Sequence, residues 1–343
     1  MVALLKITEG NSMSTNNVLI NQIAAAETLE AAYNSFNWLG NQHFSDDWVS
    51  LRQQWGELKP HIQAQLQEGE YAFQPVTRVH DTDQLGEPEI RDFWAAPDRL
   101  VLKAMSLVLE QHLREAVSPR CYHALGRGGA KAAVREVRDY LQANPDTWVM
   151  QTNVEDYHTN IDHHTLYMQL EDLMPKEKSV MDLVWRYLRH SVCDGENYID
   201  IERGISLGCP LSPLMGAVYL KPLDEMLVER HGFYVRFVDD LVLTAPTRWK
   251  LRAVVKKTNM TIGQLKLTKH PDKTFIGRAS RGIDFLGYHL TPTELTMSKA
   301  ALQRRDANIA RLYVQGASQS HVEQYVLRWQ QWATAGIVEP LHR

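Results

Sequence analysis

The heptad FVDDLVL (residues 237–243) sets two adjacent carboxylates, Asp239 and Asp240, among apolar, β-prone residues. Buried carboxylates lose their hydration, so such a pair calls for a cation or for a tight, solvated turn. A hairpin tip that presents Asp239 and Asp240 to Mg2+ satisfies this, and so does a plain solvated Asp-Asp turn. Upstream, ERGISLGCPLSPLMGAVYLKPLDE (202–225) is a loop punctuated by Gly and Pro that runs into an apolar helix. Small residues there let the backbone pass close to a ligand.

The elements around these residues have readable periods. TWVMQTNVEDY (147–157) reads as a strand because its apolar residues are aromatic or β-branched, and a helical pattern begins only at HHTLYMQLEDL (163–173). YVRFVDDLVLTAP (234–246) reads as a strand with its acids at the middle. YAFQPVTRV (71–79) and IRDFWA (90–95) form two strands joined through the polar turn DTDQLGEPE. APDRLVLKAMSLVLEQHL (96–113) and KAAVREVRDYLQA (131–143) are helical, separated by the Gly-rich break GRGG (126–129). Residues 1–70 read as helices, as does the Arg-, Gln- and Trp-rich ending from Ser298 to Ile337.

A chain of 343 residues with 44% hydrophobic and 23% charged residues buries a real core, which excludes wholesale disorder. The net charge of -4 argues against bulk-charge coating of nucleic acid. That average hides an asymmetry: residues 248–311 carry 14 Lys or Arg against four acids. Cys121, Cys193 and Cys209 form no CxxC pair and no closed disulfide framework, which fits a reducing cytoplasm. The opening MVALLKITEG lacks a long apolar stretch, and no run is long enough to span a bilayer, so a soluble cytoplasmic protein without membrane partners is expected.

In order along the chain, RDFWAAPDRLVLKA, SPRCYHALGRGGAKAAV, NVEDYH, GISLGCPLSPLMG, FVDD, HPDKT and DFLGY resemble the reverse transcriptases, especially the bacterial group II intron-like and defence-associated kinds, over residues 65–340. The resemblance implies an α+β right-hand polymerase. Its parts would be a helical N-terminal region (1–70), fingers (71–148), a palm of antiparallel sheet with flanking helices (149–294) and a short helical thumb (295–343). It implies an RNA-directed DNA polymerase that uses two magnesium ions, held by Asp239, Asp240, Asn153 and the backbone of Val154. The implied partners are an RNA template, dNTPs, the DNA product and a dedicated noncoding RNA in antiphage defence; assembly into an oligomer stays open.

The resemblance assigns further roles. Arg91 and Arg78 would clamp the triphosphate with planar guanidinium forks. His158 would stand where an aromatic residue excludes a ribose 2′-hydroxyl, Gly208 beside the incoming nucleotide, and Lys273 near the leaving pyrophosphate. Phe285, Leu286, Gly287 and Tyr288 would grip the primer. Lys131, Arg135 and Arg138 would meet template backbone, and Lys256, Lys257 and Lys269 would carry nucleic-acid affinity within the basic region.

Two positions depart from the pattern. Asn153 replaces the first metal aspartate, and an amide brings no negative charge. If it is native, strand alternation would bring Glu155 to the same side as a partial substitute; otherwise it is an introduced, inactivating replacement. Leu207 stands where relatives carry Gln. His158, His163 and His164 raise the thought of zinc, but no cysteine partner lies nearby. Two alternatives accompany the polymerase reading: a palm-fold RNA-binding protein that has lost catalysis, and a template-relaxed polymerase making homopolymer or repeat DNA.

Overall fold

The structure, a computed structural model, describes residues 17–37, 46–82, 88–230 and 232–337. Helices α1 (Val18–Ile23), α2 (Ala26–Asn37) and α3 (Asp46–Glu68) open the described chain. Their buried Ile23, Leu29, Leu51 and Leu66 join a core with Leu100, Leu102 and Met105 of α4 (Ala96–His112). Each such side chain contributes roughly 1.5–3 kcal/mol on burial.

Between α3 and α4, strands β1 (Val76–Thr82) and β2 (Pro88–Phe93) form the expected antiparallel pair, with Thr77 opposite Phe93 and Arg78 opposite Asp92. After α4 come α5 (Gly129–Ala143), β3 (Trp148–Thr152), α6 (His163–Leu173) and α7 (Lys178–Leu188). Strands β4 (Ser191–Asp194) and β5 (Asn197–Asp200) then return to the first sheet, giving the order β2-β1-β4-β5 with β4 parallel to β1. The segment expected to build only the palm therefore also completes this sheet.

Next along the chain are α8 (Ser212–Tyr219), α9 (Lys221–Glu229), β6 (Tyr234–Phe237), β7 (Asp240–Ala245), α10 (Arg248–Gln264) and β8 (Phe275–Arg278). The palm sheet has the order β6-β7-β3-β8, antiparallel throughout. Its period of two gives it two faces. Met150, Leu241, Leu243 and Tyr234 share a core with Leu251 and Ile262 of α10 and the apolar residues of α8 and α9. Val149, Val235 and Val242 pack instead with Val134 and Val137 of α5.

A second small sheet, β9 (Ile283–Phe285), β10 (Tyr288–Leu290) and β11 (Leu295–Met297), leads to the thumb helices α11 (Lys299–Val314) and α12 (Gln319–Ile337). Ser298 caps α11 by accepting the Ala301 N–H at 3.2 Å.

The strand expected over 147–157 is shorter in the structure. It ends at Thr152, because the chain then turns: the Glu155 N–H donates to the Thr268 carbonyl at 2.9 Å, and Asp156 adopts φ +45°.

Candidate active site

The β6–β7 hairpin turns through Val238 and Asp239, and Val238 sits at φ +58°. A β-branched residue at positive φ is a strained one, at a cost on the order of 1–3 kcal/mol, and persists only where its surroundings hold it. Both backbone groups of Val238 are held. Its carbonyl accepts from Arg236 Nη1 at 2.8 Å, and its N–H donates to His123 Nδ1 at 2.9 Å. Arg236 is fully buried and forms a bidentate pair with Asp224, at 3.0 and 2.5 Å. His123 donates its other ring nitrogen, Nε2, to the Pro213 carbonyl at 3.1 Å, which fixes the tautomer. Burial, followed by the Arg236 charge, pushes the His123 pKa down to about 3, so the ring is neutral.

The sheet register pairs Asp240 with Phe237 and Gln151 with Val242, which places Asp240 on the face opposite α10. That face opens into a cleft of about 1380 Å3, lined by Gln151, Asn153, Asp240, Lys273, the Leu286–Gly287 turn and the α11 and α12 side chains Arg304, Arg305 and Trp329. Asn153, one residue past β3, donates its amide to Asp240 Oδ1 at 3.2 Å. Asp239 is pushed up to about pKa 6 by burial first and by the Asp240 charge second, against opposing hydrogen bonds from its own N–H, the Val154 N–H and the Asn153 side chain. Burial also raises Asp240, with the Asn153 amide and the Lys273 charge working the other way. Two half-buried carboxylates that resist ionisation together form a site short of positive charge. Asp239, Asp240, the Asn153 amide and the Val154 backbone supply hard oxygen donors, so the residues fit a divalent cation of the Mg2+ type.

The remaining expectations divide. Lys273 is exposed on the cleft, and of the four primer-grip residues Leu286 and Gly287 line it. Leu286 (φ +50°) and Gly287 (φ +86°) form a tight two-residue turn, whereas Phe285 and Tyr288 are buried in the core beneath. Glu155 does not reach the aspartates by strand alternation, since the chain has already turned. His158 is half-buried, its ring edge-on to Tyr157 at 5.2 Å, and burial pulls its pKa down. Its carbonyl accepts from Ile205 N–H at 2.8 Å, which ties it to the Gly-rich loop where Leu207 is 62% exposed and Gly208 takes φ +78°. His163 is buried with Nε2 on the Gly204 carbonyl at 2.6 Å, while His164 is exposed on α6.

The cationic residues are more dispersed than expected. Arg78 engages both oxygens of Asp92, at 2.8 and 2.9 Å, so a triphosphate would have to displace that carboxylate. Arg91 pairs with Val79 in the β1–β2 register, and its side chain lies outside the described residues. Lys131 bonds Tyr288 Oη and donates to the Trp332 carbonyl at 2.6 Å. Arg135 and Arg138 donate to the carbonyls of Ala335 and Ile337 at 3.1 and 3.3 Å. These three side chains are thus tied to carbonyls in the last part of α12, at Trp332, Ala335 and Ile337, instead of standing free for a template. Lys256 and Lys257 are exposed on α10, which packs on the sheet face opposite the cleft. Lys269 is half-buried opposite Val154 in an antiparallel bridge, and burial lowers its pKa.

His123, Arg304, Arg305 and Trp329 were not singled out by the sequence reading, and neither was Arg236. Arg304, Arg305 and Trp329 fall within the Arg-, Gln- and Trp-rich ending, alternation within YVRFVDD turns the Arg236 charge toward the core side, and no sequence pattern marks His123.

An antiparallel palm sheet with an acidic hairpin tip facing a cleft under two thumb helices defines a right-hand polymerase. The chain belongs to the reverse transcriptase (RNA-dependent DNA polymerase) family, a family of nucleotidyltransferases whose model matches residues 96–290, more than half of the chain. It is similar to Protein YkfC of Escherichia coli (strain K12), 23% identical over 267 residues that cover 67% of this chain and 70% of that protein. It is also similar to the Group II intron-encoded protein LtrA of Lactococcus lactis subsp. cremoris, 24% identical over 181 residues, covering 50% of this chain but 28% of that one. Among solved structures, a chain of the Partial Cas6-RT-Cas1--Cas2 complex superposes with TM-score 0.45 at 18% identity, covering 72% of this chain and 43% of its own length. Among the described residues, no helix is long and apolar enough to cross a membrane.

Proposed function

We propose that this chain is an RNA-directed DNA polymerase that extends a primer in the cleft between the palm sheet and helices α11 and α12. The observation that carries the reading is the convergence on one cleft of Asp240, Asn153, Lys273 and the Leu286–Gly287 turn, with Asp239 at the adjoining hairpin tip. Asp239, Asp240 and the oxygens of Asn153 and Val154 would hold the divalent metal. Two magnesium ions bound there supply activation of the primer 3′-oxygen and stabilisation of the leaving pyrophosphate. The protein's own share is positional. Arg236 and His123 fix the turn, Lys273 adds positive charge beside Asp240, and Leu286–Gly287 offers a backbone surface to the primer end. The dedicated noncoding RNA and the role in antiphage defence belong to this proposal through the family resemblance.

A palm that binds RNA without polymerising it is the second reading, favoured by one observation: at the first metal position an amide donates to Asp240 where a carboxylate would repel it. Primer extension with Mg2+, four dNTPs and RNA or DNA templates separates the two. The polymerase reading expects incorporation that Asp239→Ala abolishes while RNA binding persists. Retained incorporation in that variant would overturn the active-site assignment, and RNA binding without incorporation in the unaltered protein would favour the second reading. Sequencing the products and the RNA that copurifies identifies the template and tests for homopolymer or repeat synthesis.

A further inference from the structure

The segment between α4 and α5 runs along the outer edge of the palm sheet. The Arg236 N–H donates to the Arg120 carbonyl at 3.0 Å, and the Tyr122 N–H donates to the Arg236 carbonyl at 2.9 Å. This pairing covers the free edge of β6 and delivers the next residue, His123, to the tip of the β6–β7 hairpin. There the ring stands edge-on to Phe237, with centroids 6.0 Å apart. Its Nδ1 accepts the Val238 N–H at 2.9 Å and lies 3.3 Å from Cys121 Sγ, while Nε2 donates to the Pro213 carbonyl at 3.1 Å. Pro213 belongs to the Gly- and Pro-rich loop motif, at the start of α8.

We propose, resting on the polymerase reading, that His123 is a positioning residue that locks the Asp239–Asp240 turn to the Pro213 segment and so sets where the two carboxylates meet divalent metal. The neutral imidazole suits the task, because it carries one acceptor and one donor on a rigid ring and can bridge a backbone N–H to a backbone carbonyl. Arg236 does not duplicate it. The guanidinium has only donors, so it holds the carbonyl side of Val238 and can do nothing for the N–H side. With the acceptor gone, the Val238 N–H loses its partner, and the φ of +58° is no longer fixed from both ends. The turn can then relax toward ordinary backbone angles, which carries Asp239 out of place.

The test compares His123→Ala, His123→Asn and His123→Gln, each checked by circular dichroism and thermal melting. Asparagine places an amide oxygen near the position of Nδ1, and glutamine places an amide nitrogen near that of Nε2. Two readouts are taken: the kcat and KM for primer extension, and Mn2+ affinity from the electron paramagnetic resonance signal of free Mn2+, which needs no turnover. Loss of an outer-shell partner costs on the order of 10- to 100-fold in metal affinity or activity. The expected pattern is a loss of this size in kcat and in Mn2+ affinity for Ala and Gln, an unchanged KM for primer–template, and recovery to within a few-fold in Asn. Should Ala fail to fold, the Asn and Gln pair decides alone. If Mn2+ affinity in the folded variants equals that of the unaltered protein, or if Gln restores function and Asn does not, the positioning role is refuted. If the unaltered protein extends no primer on any template, yet Mn2+ affinity follows the expected order, the polymerase reading fails and the positioning role stands.

Discussion

Replacing Asn153 by aspartate should make the protein less stable without divalent metal and more active with it. The Asn153 amide nitrogen lies 3.2 Å from Asp240 Oδ1, so the variant puts like charges at that separation. At an effective dielectric constant of about 20, the repulsion is about 5 kcal/mol before any proton is taken up, and protonation of one carboxyl caps the actual cost below that figure. A bound cation reverses the sign, since a third carboxylate adds a charged ligand where positive charge gathers. Asn153→Asp should therefore melt lower than the unaltered protein in EDTA, and the gap should close or invert as Mg2+ is added. At limiting Mg2+, primer extension should rise at least tenfold, on the order of 1.4 kcal/mol of transition-state stabilisation. Thermal melting and single-turnover extension across the same Mg2+ titration measure both effects. Equal metal dependence of stability and of rate in the two proteins would refute the electrostatic account of this site, and would show that the amide is not at the metal.

Neutralising Lys256 and Lys257 together should leave primer–template affinity and its salt slope unchanged, whereas Arg304→Ala with Arg305→Ala should flatten the slope by about two, measured by fluorescence anisotropy over a salt series; the reverse result would place the duplex on α10. Lys131→Met should shorten products in processivity assays while single-nucleotide addition holds, because Lys131 joins Tyr288 beneath the Leu286–Gly287 turn to the Trp332 carbonyl of α12. His123 has a folded pKa of about 3, well under its usual 6.5, so as pH falls the unfolded chain takes up a proton that the folded one refuses, and stability drains away through that window. His123→Asn removes this drain, and its melting temperature should fall less than that of the unaltered protein between about pH 7 and about pH 5; an equal fall would mean the folded ring takes up the proton as readily as the unfolded one.

The chemistry of the site was legible where local rules suffice. The β1–β2 pair and the helix of 163–173 follow from period alone, but the span 234–246, which reads as one strand, folds into β6 and β7 around Val238 and Asp239, because the β-prone residues on both sides of the acids pair with each other. Glu155 was misplaced for a definite reason. Alternation would carry a strand through Tyr157, but the Glu155 N–H bonds Thr268, a residue more than a hundred positions on, and that tertiary bond ends the strand early. Lys131, Arg135 and Arg138 looked like template contacts because a basic helix face is all that the sequence displays. Their partners are α12 carbonyls about two hundred residues away, which no periodicity records. Counting the charge of residues 248–311 likewise merged two opposite faces of one sheet, since α10 and the cleft-lining Arg304 and Arg305 lie on different sides of it.

The pairing of Arg236 with Asp224 connects the fold to the chemistry most directly. Burying both ions carries a desolvation penalty that works against their attraction, and an apolar pair of similar volume often serves stability as well or better. Stability alone is thus a poor account of a guanidinium with no solvent exposure in the strand that leads into the turn at Asp239 and Asp240. Its geometry offers a better one. The planar fork spans the Ala217 carbonyl of α8, both oxygens of Asp224 on α9 and the Val238 carbonyl at the turn, so helices and hairpin are fixed by one rigid group. An apolar residue could fill the space but could not hold a peptide carbonyl at positive φ. Because Asp224 neutralises the guanidinium, that positional control brings little net charge to the turn above. Asp239 and Asp240 keep their deficit of positive charge, and that deficit is what a divalent metal would fill.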